Sequence, residues 1–214
     1  MSEIIKAVLF DFDDTLVATK GAKSAQHKLV AKEYYGKELT DDEIWRHWGK
    51  PLPELVCILY GTNNAEEALA NNNSCHEDFP KRLFKETVPL LRQINSQGKP
   101  IGIVTATTRF SFEYDLNSLG IPSELIGYTQ TAEDTLFHKP DPRVFEPALK
   151  WLSDQQIAAR EALYVGDGLH DMTAALDAGL NFIGVETGLV KANQFFEYGV
   201  RSLPSIGGLM EHIH

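Results

Sequence analysis

Apolar residues along this chain come in short unbroken runs, set between stretches of helical periodicity. The runs are Ala7-Val8-Leu9-Phe10, Ile101-Gly102-Ile103-Val104, Leu125-Ile126-Gly127-Tyr128, Ala162-Leu163-Tyr164-Val165 and Asn181-Phe182-Ile183-Gly184-Val185. A run without polar alternation predicts a strand covered on both faces, the habit of parallel sheets. Between the later runs apolar residues recur at helical spacing: Leu90, Leu91 and Ile94, then Phe112, Leu116 and Leu119. Val144, Phe145, Ala148, Leu149 and Leu152 form a further helix face, as do Met172, Ala175 and Leu176. Gly98, Gly120 and Gly179 stand where three of these helices must stop. Alternating strands and helices predict an α/β fold, a Rossmann-like doubly wound parallel sheet. Leu203-Pro204 and the stretch from Ile206 to Ile213 predict an edge element and a final helix.

The rhythm breaks between the first run and the second. Val17 to Lys20 reads as a linker, and Ala22, Ala25 and Leu29 then make a helical stripe. Asp41-Asp42-Glu43 opens a helix carrying Ile44, Trp45 and Trp48, its acids favourable to the helix dipole. After Gly49-Lys50-Pro51, the residues Leu52, Leu55, Val56 and Leu59 mark another helix, closed by Gly61. Asn71-Asn72-Asn73-Ser74 reads as a turn or helix start, with helix expected on through Phe79, Leu83 and Phe84. Ordinary α/β connections are far shorter than this. The expectation is therefore a helical cap at 18–86 inserted into a core made of 1–17 and 87–214.

Composition narrows the field further. The chain has 214 residues, 43% hydrophobic and 23% charged, long enough for a sizeable core. A net charge of -10 argues against general binding to nucleic acid or anionic membranes. No apolar run approaches the ~20 residues of a membrane span. Met1 to Lys6 lacks a secretory-signal pattern. With two cysteines, Cys57 and Cys75, the expectation is a reducing cytoplasm and two free thiols. Nothing in the pattern speaks to oligomeric state.

The informative polar residues lie where each strand stops. The first run delivers Asp11 and Asp13 to a strand's C-terminal end, where open α/β sheets bind ligands. Two residues apart on an extended chain, they are expected on one face. Unit charges ~4 Å apart repel by ~4 kcal/mol at an effective dielectric of ~20. A cation or a shifted pKa must relieve that repulsion. The second run ends in Thr105-Ala106-Thr107-Thr108-Arg109, and the fourth in Gly166-Asp167-Gly168-Leu169-His170-Asp171. His138-Lys139-Pro140 lies between the third and fourth. Asp167 and Asp171, four apart, fall on one side of a helix N-terminus, and a set made of carboxylates suits a hard cation, Mg²⁺ above all. The plainer alternative makes Asp167 a helix cap and Asp171 a solvated first-turn acid. Lys139, preceding Pro140, sits in non-helical backbone, and a loop lysine is ordinarily solvated. The Thr105 hydroxyl can cap a helix or donate to a phosphate oxygen. Gly-x-Ser-x-Gly, P-loop, Gly-x-Gly-x-x-Gly and Cys/His zinc spacings are all absent from the sequence. His27, His47, His76, His170, His212 and His214 read as surface or core residues.

Taken in order, these residues resemble the haloacid dehalogenase superfamily of Mg²⁺-dependent phosphatases. Asp11-Phe12-Asp13-Asp14-Thr15 resembles its Asp-x-Asp-x-Thr motif, Thr105 its strand-end Thr or Ser, Lys139 its lysine, and Gly166 to Asp171 its Gly-Asp-x-x-x-Asp. The inserted helices resemble the small cap of phosphoglycolate phosphatases and β-phosphoglucomutases. Asp14 stands where Gly is usual, and Ala18 where many phosphoglycolate-phosphatase-like chains carry Asp.

The resemblance implies Asp11 as nucleophile, forming an aspartyl phosphate, and Asp13 as acid and base. It implies Phe12, Asp13, Thr105, Ala106 and Lys139 around the phosphoryl group, and Mg²⁺ held by Asp11, Asp13 through its carbonyl, Asp167 and Asp171. Gly49 and Lys50 resemble a cap loop that meets the rest of the substrate. The expected partner is a small phosphorylated metabolite. Two other readings stand beside the phosphatase: a sugar-phosphate phosphomutase, for which Lys23 and His27 make poor cap bases, and a phospho-ligand-binding protein without turnover.

Overall fold

A computed structural model describes residues 4–213; Met1–Glu3 and His214, and the leader and histidine readings placed on them, lie outside it. The chain begins with β1 (Ala7–Phe10) and β2 (Val17–Ala18), then α1 (Lys20–Tyr35), α2 (Asp41–Trp45), α3 (Leu52–Tyr60) and α4 (Ala65–Ser74). It returns through β3 (Arg82–Leu83) to α5 (Thr87–Ser96), β4 (Ile101–Val104), α6 (Arg109–Ser118) and β5 (Tyr128–Gln130). There follow α7 (Glu146–Asp154), β6 (Ala162–Gly166), α8 (Leu169–Asp177), β7 (Asn181–Val185), α9 (Ala192–Glu197) and β8 (Ser202–Leu203).

Six strands form one sheet in the order β5-β4-β1-β6-β7-β8, every adjacent pair parallel. In register, Phe10 of β1 faces Ile103 of β4 on one side and Val165 of β6 on the other. All four residues of β1 are buried, which is why no polar alternation shows in their sequence. Their side chains divide between the two faces. Val8 and Phe10 join Leu91, Ile94 and Phe112, whereas Ala7 and Leu9 join Phe145, Ala148 and Ala175. Helices α5 and α6 thus cover one face and α7 and α8 the other, the doubly wound arrangement expected.

One strand lies further along than its apolar run. Ser123–Leu125 is a 3-10 turn, and pairing with β4 begins only at Tyr128. Leu125 and Ile126 pack on the core from outside the sheet, while the strand itself buries Gln130, whose amide donates to the Val144 carbonyl at 2.7 Å. A polar residue satisfied inside the core is what hid β5 from a hydrophobicity reading. The expected edge element is β8, and the last helix is a 3-10 helix at Ile206–His212.

Ala18–Arg82 is a compact unit of its own, and the remaining described residues form the second. The helical unit has a separate core that includes Val30, Ile44, Val56, Leu59 and Ala68. Thr40 and Glu43 close a capping box on α2, and Gly61 ends α3 in the left-handed region. At the junctions the short strands β2 and β3 pair, where the sequence suggested a linker and continuing helix. Phe79, Leu83 and Phe84 therefore do not share a helix. The Phe84 N–H and Thr87 Oγ1 both donate to the Leu16 carbonyl, at 3.4 and 2.7 Å. Asn71–Ser74 is the last turn of α4, not a start; the start is Asn64, whose side chain accepts from the Glu67 N–H. Cys57 and Cys75 are both free thiols.

The stripe Ala22, Ala25 and Leu29 does not face inward: Leu29 is 37% exposed, and α1 buries Ser24, Gln26, His27, Val30 and Ala31 instead. Two alanines bury little area, so a satisfied polar network decides the face. The Tyr60 hydroxyl donates to Asn72 Oδ1 at 3.1 Å and lies 2.9 Å from His27 Nδ1. Burial, with the Lys23 ammonium adding to it, pushes the His27 imidazole down to about 3. Its folded pKa lies below the unfolded value, so its contribution is complete above ~6.5 and lost as pH falls toward 3. Urea unfolding measured from pH 7 to pH 4 is expected to show this loss, and His27→Gln to flatten it. Equal pH slopes in both proteins contradict the assignment.

Candidate active site

The turn after β1 is built by its own backbone. The Leu16 and Val17 N–H groups both donate to the Phe12 carbonyl, and the Asp14 N–H to the Val17 carbonyl at 2.6 Å. Asp14 has φ +53°, the left-handed region that favours glycine and that aspartate tolerates. That is the physical reason for a glycine preference at this point of the motif. Phe12 is fully buried with its ring edge-on to Phe112, so the turn is anchored in the core.

Asp11 and Asp13 leave this turn toward different partners. Asp11 is 7% exposed and its Oδ1 pairs with Lys139 Nζ at 2.7 Å. Asp13 is half-buried, and its carboxylate accepts from the Thr107 hydroxyl. The expected side-by-side pair is thus two separately held acids. Once β1 ends at Phe10, strand alternation no longer governs their directions.

Lys139 reaches beyond Asp11. Its Nζ also lies 2.7 Å from Asp171 Oδ1 and 3.0 Å from the Val104 carbonyl, and donates to the Tyr164 hydroxyl. Only 8% of its side chain is exposed, so it is an internal ion-pair centre rather than a solvated loop lysine.

The Gly166–Asp171 segment supplies the remaining acids. Asp171 occupies the first turn of α8 and accepts the Gly168 N–H at 3.0 Å, so it caps the helix and faces Lys139 together. A Cβ on Gly166 would come within 2.7 Å of the Asp171 Cβ. A Cβ on Gly188 would overlap the Asp167 carboxylate. Both glycines let main chain approach an acid closely.

Asp11, Asp167 and Asp171 each present an oxygen within 4.8 Å of the other two. Their electrostatics fit a cation. Burial raises Asp11 to about 7, Lys139 opposing and the Asp171 and Asp13 charges adding. Asp167 is raised well above the carboxylate range by burial, then by Asp171 and Asp11. Burial lowers the Lys139 ammonium's pKa, but the two carboxylates outweigh it and raise the value overall. One ammonium does not neutralise three carboxylates, and an all-oxygen set of this kind is suited to a hard divalent ion such as Mg²⁺. The Asp13 side chain lies outside this set.

Of the other expected positions, Thr105 is buried at the end of β4 and its Oγ1 accepts the Thr107 N–H at 3.1 Å, while Ala106 is exposed in the same turn. Gly49 and Lys50 lie in the α2–α3 turn of the helical unit, where Lys50 pairs with Glu54. His170 is exposed and His76 buried. Sequence reasoning missed Tyr164, Thr107 and Gly188. Tyr164 carried one signal, a phenol inside a buried strand, whose hydroxyl must find a partner.

Comparison with known proteins agrees with this geometry. Residues 8–185 match the model of the family described as haloacid dehalogenase-like hydrolase. A Clostridium perfringens chain provisionally named pyrophosphatase PpaX is 33% identical over 187 residues, 86% of this chain and 85% of that one. A Bacteroides fragilis structure, provisionally described as a haloacid dehalogenase-like hydrolase, superposes with TM-score 0.83 at 30% identity, covering 96% and 99% of the two chains. A Haemophilus somnus structure provisionally described as a phosphoglycolate phosphatase shares the fold, with TM-score 0.84 at 17% identity over 98% of each chain. Fold and acid cluster define a capped α/β enzyme of Mg²⁺-dependent phosphoryl transfer or hydrolysis, working through an aspartyl intermediate. The chain belongs to the haloacid dehalogenase-like hydrolases.

Removing one acid separates repulsion from metal holding. Asp167→Asn is expected to raise the unfolding temperature of the metal-free protein and to remove the further rise that Mg²⁺ produces. A lower metal-free unfolding temperature with the Mg²⁺ effect retained contradicts the cluster's role. Because Asp11 and Asp167 must lose protons to bind a cation, Mg²⁺ affinity measured by calorimetry is expected to weaken as pH falls below about 7. An affinity independent of pH between 6 and 8 contradicts it.

Proposed function

We propose that this enzyme hydrolyses small phosphate monoesters, with Asp11 as the nucleophile. The observation that carries the reading is the different company of the two motif acids. Asp11 is ion-paired to Lys139 at 2.7 Å and sits among the cluster acids, while Asp13 is held by a hydroxyl outside it. Such a pair divides labour as nucleophile and acid–base group.

In the first step an Asp11 oxygen attacks phosphorus, the bond to the leaving oxygen breaks, and Asp13 gives that oxygen its proton. In the second, Asp13 takes a proton from water, the water oxygen attacks phosphorus, and the bond to Asp11 breaks, releasing inorganic phosphate. The Thr105 hydroxyl, Lys139 and the N–H groups of Phe12, Asp13 and Ala106 orient the phosphoryl oxygens. Thr105 suits this role because its oxygen already accepts the Thr107 N–H and its own proton can be donated. Asp11, Asp167, Asp171 and the Asp13 carbonyl would hold Mg²⁺, which supplies charge neutralisation and polarises a phosphoryl oxygen. Gly49 and Lys50 are the proposed cap residues for the part of the substrate beyond its phosphate. A cytoplasmic setting follows from two free thiols and is part of the same proposal. Among the described residues no helix is long and apolar enough to cross a membrane.

The phosphomutase reading gains no support from His27, which is 1% exposed and engaged by Tyr60. The name of the Clostridium perfringens relative makes inorganic pyrophosphate a substrate to test beside phosphoglycolate, sugar phosphates and nucleotides. With Mg²⁺ the protein is expected to release phosphate from at least one of these. Chelation should abolish release, and Asp11→Asn should lower kcat by at least ~10³-fold. Full activity in either control contradicts the mechanism, and isomer interconversion faster than phosphate release favours the mutase.

A further inference from the structure

Tyr164 is the third residue of β6, and its ring is fully buried beside Phe145 and Phe182, with the Lys139 Nζ 5.0 Å from its centroid. Its neighbours in the strand are aliphatic or glycine. A tyrosine used only for bulk in such a place would be replaceable by phenylalanine, because a buried hydroxyl costs free energy unless it is bonded. This hydroxyl is bonded at the centre of the acid cluster. It lies 2.8 Å from the Val104 carbonyl and 3.2 Å from Asp171 Oδ1, and it accepts from Lys139 Nζ.

Proton bookkeeping assigns the contacts with Val104 and Lys139. The phenol has one proton, and the shorter contact directs it to the Val104 carbonyl, a fixed point at the end of β4. The oxygen lone pairs then face Lys139. The ammonium has three protons, two of which meet Asp11 Oδ1 and Asp171 Oδ1 at 2.7 Å each. The third is left to the neutral acceptors, Tyr164 and Val104. Without the phenol two carboxylates compete for a flexible four-carbon side chain, and of these two neutral acceptors the Val104 carbonyl alone is left to hold it.

We propose that Tyr164 is a positioning residue that fixes the Lys139 ammonium between Asp11 and Asp171, holding both carboxylates in the geometry for Mg²⁺ and phosphoryl transfer. This deepens the proposed function and rests on it for the assignment of Asp11. Groups that orient catalytic and metal-holding residues typically change affinity or activity by ~10–100-fold when removed. A residue that only fills space changes stability alone.

Tyr164→Phe keeps the ring and deletes the hydroxyl, and the Val104 carbonyl keeps its contact with Lys139 Nζ at 3.0 Å, so the variant is expected to fold. Phe145→Leu is the packing control, because Phe145 meets the Tyr164 ring edge-on at 4.8 Å and has no polar side-chain atom to offer the acids or Lys139. Three quantities are measured on the full chain: unfolding temperature without metal, Mg²⁺ affinity by calorimetry without substrate, and kcat with its half-saturating Mg²⁺ concentration. Tyr164→Phe is expected to weaken Mg²⁺ binding ~10-fold and lower kcat ~10–100-fold. Phe145→Leu should lower the unfolding temperature and leave Mg²⁺ affinity at the wild-type value. Tyr164→Phe with wild-type Mg²⁺ affinity and kcat overturns the proposal, as does a loss of stability alone. Wild-type protein without Mg²⁺-dependent turnover overturns the phosphatase reading instead, and the calorimetric comparison still decides the role of Tyr164.

Discussion

One buried ammonium set against three carboxylates is the constraint on which this structure turns. Lys139 meets Asp11 and Asp171 at equal distance and leaves Asp167 to the repulsion of both. Three acids and one lysine in so small a volume carry a net negative charge that burial makes costly. Burial and the like charges together raise Asp11 and Asp167, and a divalent ion held by the three carboxylates would relieve that cost. The fold is arranged to bring these groups together. Because β1 lies between β4 and β6, the ends of all three strands converge. Val104 comes from β4, Asp11 from beyond β1, and Tyr164 and Asp167 from in and beyond β6, while Asp171 is delivered by the first turn of α8.

The same physics governs the smaller unit. There α1 buries a polar face, and the phenol of Tyr60 links His27 to Asn72 much as Tyr164 links Lys139 to a carbonyl. In both places a tyrosine supplies apolar bulk and a fixed polar tip. The difference lies in charge. Burial keeps His27 neutral, whereas around Tyr164 burial raises Asp11 and Asp167 against the opposing charge of Lys139.

What could be read in the sequence follows from how local the determining physics is. β1, β4, β6 and β7 were legible because burial on both faces removes polar alternation. Asp11, Lys139, Asp167 and Asp171 were legible as acids and a lysine at strand ends, and their order resembled a known family. β5 was misplaced because Gln130 is buried and satisfied by a carbonyl fourteen residues away. The face of α1 was misread because a network with Tyr60 and Asn72 outweighs two alanines. Tyr164 and Thr107 escaped because their meaning depends on partners far along the chain: Lys139 and Val104 for the first, Asp13 for the second. Pattern along a chain reports burial well and long-range polar pairing poorly.

The central claim is that Asp11 takes the phosphoryl group covalently, and trapping that species tests it most directly. Protein mixed with Mg²⁺ and a turned-over phosphate ester, quenched in acid within milliseconds and digested, should yield the peptide containing Asp11 with one added phosphoryl group. The label should disappear on treatment with hydroxylamine, as an acyl phosphate must, and should be absent from Asp11→Asn. Phosphate release proceeding with no label on that peptide, or with the label on another residue, would contradict the account.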